Sequence, residues 1–201
     1  MAKRIGIFAG TFDPVHAGHL AFAEEALKNG LEKVMFLPEP RPRRKQGVRA
    51  LEHRVAMVQL SIAENPRLGT IILEQARFTP HETLLLLQAR FVGYQLVLLF
   101  GDDVISHIAH WPHVETLLTA TELLIASRHE DAKLLQANLE ALEQARALKF
   151  RYRIVYPDQE HISSSALRLK LKHGHTVSDL PQSVKKYIDQ NKLYAAGSIS
   201  S

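Results

Sequence analysis

Short, continuous apolar runs recur along the chain, each bounded by polar or turn-forming residues. They are IGIF (5–8), VMFL (34–37), TIIL (70–73), LVLLF (96–100), LLIA (123–126) and RIVY (153–156). Runs of this length that are apolar at consecutive positions are typical of strands buried on both faces. The pattern therefore predicts six buried β-strands.

Between these runs, apolar residues recur at positions i, i+3, i+4 and i+7, the spacing of one helix face. The predicted helices cover residues 17–29, 50–64, 82–91, 103–118 and 131–147. Buried strands that alternate with helices of this length form a parallel sheet covered on both faces, with right-handed crossovers. We expect an α/β fold, a doubly wound (Rossmann-like) parallel sheet, whose ligands bind beyond the carboxyl ends of the strands.

The chain after the sixth strand predicts a small C-terminal helical segment. Residues 163–174 begin with serines suited to N-capping and end in glycine, and residues 179–194 form a second helix that starts at a proline. We expect a single domain over residues 1–194, of which 163–194 is the C-terminal helical part. The small, polar residues 195–201 are predicted to form a disordered tail.

Composition narrows the class of protein. The 201 residues, 46% of them hydrophobic, are enough to bury a sizeable core. Because no run of eighteen apolar residues and no signal-peptide pattern occurs, we expect a soluble, cytoplasmic protein that does not bind membranes. The lack of cysteine excludes disulfides and thiolate metal sites. A net charge of +4 favours small phosphates over nucleic acid, and a homo-oligomer is compatible with the sequence.

The stretch GTFDPVHAGH (10–19) places two histidines where a strand gives way to a helix. His16 and His19 are three residues apart, so on a helix they share a face and can point at one bound group. A helix start offers free N–H groups and a positive dipole end to an anion, and Gly18 lets a ligand approach closely. The phosphate loops G-x-x-x-x-G-K-[ST] and G-x-G-x-x-G are absent after the first strand. The alternatives are a zinc site, or a surface histidine beside a capping or core one.

Three further segments carry candidate chemistry. Serines 163–165 with Arg168 would grip a second anion at another helix start, although serines there most often only cap the helix. Residues 38–49 hold three prolines and five cations and are predicted to be a mobile flap over negative charge, or else a solvated loop. In GDD (101–103) an aspartate could cap a helix, bind ribose or hold Mg²⁺. Trp111 is a core residue or a stacking platform.

These motifs resemble the signatures of the nucleotidyltransferase superfamily. His16-Ala17-Gly18-His19 resembles its H-x-G-H, SSSALR (163–168) resembles its I-S-S-T-x-I-R, and residues 42–45 are similar to its P-x-x-K loop. A further G-x-D, W and R series is matched by Gly101, Asp103, Trp111 and Arg128. The resemblance covers most of the chain and is greatest to bacterial nicotinate-nucleotide adenylyltransferases.

The resemblance implies an enzyme that transfers AMP from ATP to nicotinate mononucleotide, giving nicotinate adenine dinucleotide and pyrophosphate, with Mg²⁺ accompanying ATP. The implied catalytic residues are His16, His19, Lys45 and Arg168. The implied ATP-binding residues are Gly10, Thr11, Phe12, His16, Gly18, His19, Gly101, Asp103, Ile162, Ser163, Ser164 and Arg168. The implied mononucleotide-binding residues are Lys45, Thr79, Thr83, Asp103, Trp111 and Arg128, with no protein ligand to a metal. The alternatives are a relative with another phosphorylated acceptor, such as nicotinamide mononucleotide or phosphopantetheine, and a non-catalytic nucleotide-binding regulator.

Overall fold

The structure, a computed structural model, describes residues 2–42, 45–74, 78–127, 132–158 and 162–195. Its strands are β1 (Lys3–Gly10), β2 (Lys33–Pro38), β3 (Leu68–Thr70), β4 (Tyr94–Gly101), β5 (Glu122–Ala126) and β6 (Arg151–Val155). Its helices are α1 (Ala17–Lys28), α2 (Leu51–Ile62), α3 (Pro80–Arg90), α4 (Asp102–Ile108), α5 (Val114–Ala120), α6 (Ala132–Arg146), α7 (Ser164–Lys172) and α8 (Gln182–Gln190). Residues 196–201 of the predicted tail lie outside the described residues.

The strands form one parallel sheet in the order β3-β2-β1-β4-β5-β6. β1 and β4 are neighbours at the centre, and the chain builds outward from them in opposite directions, so the strand order reverses between these two strands. The doubly wound, Rossmann-like parallel sheet predicted from the apolar runs is confirmed. In such a sheet the reversal point is where a ligand-binding crevice forms.

Helices cover both faces of the sheet, as the continuous apolar strands predicted. One core cluster packs α1, α2, α7 and α8 against the sheet, through residues that include Phe22, Val58, Leu167 and Val184. The other core cluster packs α3, α4, α5 and α6 against the opposite face, through residues that include Leu84, Ile105, Leu117 and Leu135. Within the described stretches, none of these helices combines the length and the apolar character needed to cross a membrane.

The third strand differs from its prediction. The apolar run 70–73 predicted a strand there, but β3 ends at Thr70 after three residues. Ile71 still donates its N–H to the carbonyl of Phe36 at 2.8 Å, and the side chains of Ile71 and Leu73 are buried in the core. Pairing with β2 therefore ends with the hydrogen bond of Ile71, and the apolar residues Ile71 and Leu73 reflect burial at the sheet edge.

The single helix predicted over residues 103–118 is two helices in the structure. α4 ends at Ile108 and α5 begins at Val114. Pro112 lies between them, where it has no N–H for a helical hydrogen bond and disfavours a helical conformation of Trp111. His113 then adopts a φ of 56° before the chain enters α5. The apolar periodicity continued through this corner, and the proline was the signal that should have ended the helix.

Candidate functional site

A cleft of about 730 Å³ opens at the carboxyl edge of the sheet, where β1 and β4 lie side by side. Its walls include the last residues of both strands and the first turns of α1, α4 and α7. This is the point at which the strand order reverses, so the cleft lies where the sequence placed the ligand.

The loop after β1 forms one wall of the cleft around a buried aromatic ring. Phe12 has a φ of 52° and packs its ring edge-on against Phe8, with 5.2 Å between the ring centroids. A Cβ atom on Gly10 would lie 2.7 Å from the Phe12 ring, closer than two carbon atoms approach. Gly10 is therefore required for the packing of Phe12. Thr11 follows Gly10 and also lines the cleft.

His16 and His19 come together at the start of α1. His16 is the N-cap residue and His19 lies in the first turn, and their ring centroids are 3.7 Å apart with 31° between the ring planes. The backbone N–H of His16 donates to Nδ1 of His19 at 3.2 Å. A neutral His19 ring must then carry its proton on Nε2, which becomes a hydrogen-bond donor. Both residues line the cleft, so the predicted convergence of the two imidazoles on one site is present in the structure.

Burial keeps both imidazoles neutral. It lowers the pKa of His16 to about 4, although the nearby Asp179 acts in the opposite direction. Burial also lowers the pKa of His19 well below its ordinary value, and the proximity of His16 and Lys45 lowers it further. At neutral pH the two rings can therefore offer N–H donors to a phosphate but carry no positive charge. Nδ1 of His16 is buried and makes no hydrogen bond within the described part of the chain.

The start of α1 offers fewer free N–H groups than its sequence predicted. The N–H of Ala17 donates to the carbonyl of Asp179 at 2.9 Å, and the N–H of His19 donates to the carbonyl of His16 at 2.9 Å. Gly18 lies between them and lines the cleft. The imidazole side chains, more than the helix end itself, must therefore supply the donors to an anion.

The start of α7 is joined to the same loop, as two converging anion sites require. The hydroxyl of Ser164 donates to the carbonyl of Pro14 at 3.1 Å, and Nη1 of Arg168 donates to the carbonyl of Asp13 at 2.7 Å. Nη2 of Arg168 donates to the hydroxyl oxygen of Ser165 at 3.0 Å. Ser163 is the N-cap residue, but its side chain makes no capping hydrogen bond. Ile162 and Ser163 line the cleft with Ser164 and Arg168.

Lys45 brings the basic segment 38–49 to the cleft. Its Nζ donates to the hydroxyl of Thr11 at 3.0 Å, so the predicted flap cation lies against the loop that carries the histidines. Arg43 and Arg44 lie outside the described residues. The predicted mobility of the flap stays a prediction.

Arg54 is a buried residue that the sequence analysis missed. Its side chain is 1% exposed, and its guanidinium donates to the carbonyls of Arg49 at 2.9 Å, Thr11 at 2.9 Å and Pro40 at 3.1 Å. One side chain thus holds both ends of the flap and the loop after β1. The signal in the sequence was the position of Arg54 in α2, beside Val55 and three residues before Met57, on the part of the helix that is buried.

Asp13 is a second buried residue that the sequence analysis did not place in the site. Its carboxylate is 1% exposed. Oδ2 accepts the backbone N–H of Arg49 at 3.3 Å, and Oδ1 accepts the hydroxyl of Tyr194. Nη1 of Arg168 lies 4.0 Å from Oδ2. The aspartate therefore joins the loop after β1, the flap, α7 and the C-terminal segment.

The opposite side of the cleft carries the residues implied for the second substrate. Gly101 and Asp103 line it at the start of α4, and Trp111 packs edge-on against Phe100 with 5.8 Å between centroids. His107 and His110 also line this side, although neither was predicted there.

The structure does not bring Thr79 and Thr83 to the lining of this cleft. Thr83 is completely buried, and its hydroxyl oxygen accepts the N–H of Thr79 at 2.9 Å. The Thr79 hydroxyl donates to Glu82 at 3.1 Å. These threonines shape the start of α3, and the mononucleotide-binding role implied for Thr79 and Thr83 stays a prediction that their side chains do not support in this cleft. Arg128 lies outside the described residues.

The described residues contain no group of three or more His, Asp or Glu side chains that could hold a metal ion. His16 and His19 lie against each other and line the cleft, and among the described residues no third His, Asp or Glu side chain joins them as a metal ligand. A zinc site built on them therefore has no support in this part of the chain.

A parallel, doubly wound sheet with two helix starts and a lysine around one cleft at its reversal point defines an α/β protein of the class that binds its ligand at the strand switch point. The cytidylyltransferase-like family profile matches residues 7–170. A probable nicotinate-nucleotide adenylyltransferase of Symbiobacterium thermophilum is 35% identical over 203 residues, covering 96% of each chain. The nicotinate-nucleotide adenylyltransferase of Bacillus subtilis is 31% identical, covering 96% of this chain and 98% of its own.

A solved structure shows the same fold. The Plasmodium falciparum nicotinic acid mononucleotide adenylyltransferase, complexed with NaAD, superposes with a TM-score of 0.76 at 19% identity, covering 96% of this chain and 97% of its own. The chain therefore belongs to the cytidylyltransferase-like family and, within it, to the nicotinate-nucleotide adenylyltransferases. The family predicted from the sequence motifs is confirmed.

Proposed function

We propose that this protein transfers the adenylyl group of ATP to nicotinate mononucleotide. A phosphate oxygen of the mononucleotide attacks the α-phosphorus of ATP, the bond from that phosphorus to the bridging oxygen of the β-phosphate breaks, and pyrophosphate leaves. The product is nicotinate adenine dinucleotide. Family membership supports this assignment, and so does the cleft, which has two sides. We call the side with His16, His19, Ser164 and Arg168 the phosphate side, and the side with Asp103 and Trp111 the acceptor side.

Catalysis in this reaction rests on position and charge. The attacking phosphate is already ionised near neutral pH, so a general base contributes little, and the barrier falls through alignment and through stabilisation of the oxygens around the α-phosphorus. Neutral His16 and His19 suit this task as N–H donors, because the pKa of each is lowered by burial. They do not bind the ground-state triphosphate as cations would.

The cations in the cleft are placed to receive the rest of the triphosphate. Arg168 and Ser164 at the start of α7 hold the β- and γ-phosphates in this proposal, and Lys45 closes over the reacting group from the flap. Asp103 and Trp111 seat the mononucleotide on the opposite side. Mg²⁺ enters with ATP as part of the substrate and neutralises phosphate charge, since the described residues include no carboxylate cage for it.

The single observation that carries this proposal is the convergence of three side chains, from the flap and from α7, on the loop after β1. Lys45 bonds Thr11, Ser164 bonds Pro14, and Arg168 bonds Asp13. The two histidines stand at the end of the same loop. Donors and cations are thereby fixed along one wall of the cleft, which is what an in-line displacement at phosphorus needs.

The direct test is a substrate panel. Purified protein with MgATP and nicotinate mononucleotide should form one nicotinate adenine dinucleotide for each pyrophosphate released. Mass spectrometry identifies the dinucleotide. Nicotinamide mononucleotide, phosphopantetheine and glycerol phosphate replace the acceptor in parallel reactions, and CTP replaces ATP. Turnover with another acceptor, and none with nicotinate mononucleotide, would contradict the proposed acceptor and assign the protein to a different activity of the same superfamily. ATP binding with no turnover on any acceptor would favour a nucleotide-binding regulator.

A further inference from the structure

We propose that Tyr194, near the C-terminus, is a positioning residue that holds Asp13 and so sets Arg168 for the triphosphate of ATP. The inference rests on the proposed function, because it assigns ATP to the α7 side of the cleft. Tyr194 itself does not reach the substrate in this proposal. It acts through the buried carboxylate that joins the segments around the cleft.

The tyrosine is built into the core next to the site. Its side chain is 4% exposed, and it belongs to the same core cluster as Phe8 and Phe12. Its hydroxyl donates to Oδ1 of Asp13. The guanidinium of Arg49 lies over its ring, 5.2 Å from the centroid. Burial, followed by the nearby Asp13, raises the pKa of the hydroxyl, so the group stays protonated and remains a donor.

The Asp13 carboxylate needs such a donor. A buried carboxylate is costly unless hydrogen bonds and cations compensate its charge. Oδ2 has the N–H of Arg49 at 3.3 Å and Nη1 of Arg168 at 4.0 Å, while Oδ1 has the Tyr194 hydroxyl. Tyr194 therefore supplies a neutral donor that compensates part of the charge without using Arg168.

Arg168 is shared between the protein and the cleft. Nη1 is held by the carbonyl of Asp13 at 2.7 Å, and the residue also lines the cleft. If the Tyr194 hydroxyl is removed, the carboxylate loses a donor and draws more strongly on the Arg168 guanidinium, whose Nη1 lies 4.0 Å from Oδ2. Arg168 is then pulled toward Asp13, and the triphosphate side of the cleft loses affinity, while the Trp111 side keeps its geometry.

The test compares two tyrosine-to-phenylalanine variants of the full chain. Tyr194→Phe removes the hydroxyl that bonds Asp13. Tyr187→Phe is the matched control, because it removes a hydroxyl that lies 2.9 Å from Nδ1 of His53, in the same C-terminal segment but away from Asp13. We expect Tyr194→Phe to raise the KM for ATP about tenfold, the effect of losing a hydrogen bond to a charged group. The KM for nicotinate mononucleotide should stay within about twofold in both variants, and so should the KM for ATP in Tyr187→Phe.

A double-mutant cycle with Asp13→Asn shows whether the tyrosine acts through the carboxylate. Asp13→Asn removes the carboxylate charge that Tyr194 compensates, so adding Tyr194→Phe to Asp13→Asn should change the KM for ATP by less than about twofold. If the two effects multiply, or if both substrates lose affinity together with the melting temperature, Tyr194 is a packing residue and the inference fails. Unchanged kinetics in Tyr194→Phe overturn it as well.

Binding measurements separate this inference from the proposed function. The dissociation constant of MgATP, measured by titration calorimetry without acceptor, should rise about tenfold in Tyr194→Phe and stay unchanged in Tyr187→Phe. This result is independent of turnover. A wild-type protein that binds MgATP but forms no dinucleotide would refute the proposed reaction and leave the role of Tyr194 to be judged by the binding data.

Discussion

The two sides of the cleft are built in different ways. On the phosphate side, the contacts join segments that are far apart in sequence: Arg168 bonds Asp13 across 155 positions, and Ser164 bonds Pro14 across 150. On the acceptor side, the hydrogen bonds span shorter separations: the Ser106 hydroxyl bonds the Asp103 carbonyl three positions away, the Ser127 hydroxyl reaches Asp102 across 25 positions, and the Phe78 N–H reaches Glu39 across 39.

In the reaction that we propose, this difference separates the part of the site that does the chemistry from the part that selects the acceptor. Groups that stabilise a transition state must be held rigidly, because small displacements cost much of their effect. The phosphate side meets that demand with buried residues such as Arg54 and Asp13. The acceptor side presents Asp103, His107 and His110, which are exposed and can change without disturbing the core.

The largest expected effect comes from His19→Ala on the phosphate side. Loss of one preorganised donor costs about 3 kcal/mol in the barrier, so kcat should fall roughly 10²–10³-fold. Some stability is lost too, because the ring packs 5.0 Å from that of Phe12. Single-turnover rates at 25 °C on protein shown to be folded by circular dichroism give the effect. The exposed His175→Ala is the control, and a His19→Ala enzyme within fivefold of wild type would contradict the assigned role.

Arg54→Met should have the next largest effect, on stability. The substitution leaves the carbonyls of Arg49, Thr11 and Pro40 without the buried guanidinium that donates to them. Removal of one partner from such a buried network lowers the free energy of unfolding by about 3 kcal/mol. The free energy of unfolding, from urea titration, measures the loss. Arg67→Met is the control, since Arg67 also donates to two backbone carbonyls but is exposed. Equal losses in the two variants would show that burial of Arg54 does not matter.

The neutral histidines predict a third effect, on the pH dependence of stability. The folded-state pKa of His16 is about 4, below its ordinary value of 6.5. Between these two pH values the histidine is protonated in the unfolded chain but neutral in the folded protein. Stability is full above pH 6.5 and falls as the pH drops to about 4. The loss approaches about 3 kcal/mol for the whole shift. In His16→Asn this part of the loss should vanish. Urea titrations from pH 4 to 8 compare the two, and parallel curves would contradict the lowered pKa.

Much of the phosphate side could be predicted from sequence because its functional groups are close together along the chain. His16, Gly18 and His19 form one motif, and the serines with Arg168 form another, so residue types and spacing were enough. Each motif also begins a helix after a strand of the sheet, α1 after β1 and α7 after β6, which placed both at the carboxyl edge of the sheet. The fold could be predicted for the same reason, since apolar periodicity determines which elements are buried.

The residues that were missed act through contacts with no local pattern. Arg54 bonds carbonyls in two loops, and Tyr194 meets Asp13 across 181 positions. Backbone carbonyls carry no residue identity, so no sequence motif records such contacts. The split between α4 and α5 was different, because Pro112 did signal it. The acceptor side was predicted least well, since its geometry depends on that split.

Lys45→Ala tests the flap and should have a smaller effect than the histidine. Its Nζ is exposed and bonds only the Thr11 hydroxyl among the contacts described, so stability should not change. We expect kcat/KM to fall about 10–30-fold, as for one charge-assisted contact to a phosphate. Lys28→Ala, an exposed lysine paired with Glu25 at the end of α1, is the control. If Lys45→Ala lowers the melting temperature by several degrees, the flap contributes to folding and the comparison of rigid and adaptable parts needs revision.

The smallest effect should come from Trp111→Ala on the acceptor side. Stacking of an aromatic ring on the mononucleotide contributes about 0.5–1.5 kcal/mol, so its KM should rise roughly 3–10-fold. The KM for ATP should not change, because the hydrogen bonds that fix the phosphate side do not pass through this corner. Trp111→Phe keeps a stacking face and should recover most of the loss, whereas Trp111→Leu should not.

If the KM for ATP rises as much as that for the mononucleotide, the two sides of the cleft are coupled through Phe100 and Phe78, whose rings lie 5.8 Å and 6.0 Å from that of Trp111. The independence of acceptor selection from the chemistry would then fail, since a change in the acceptor pocket would disturb the phosphate side as well.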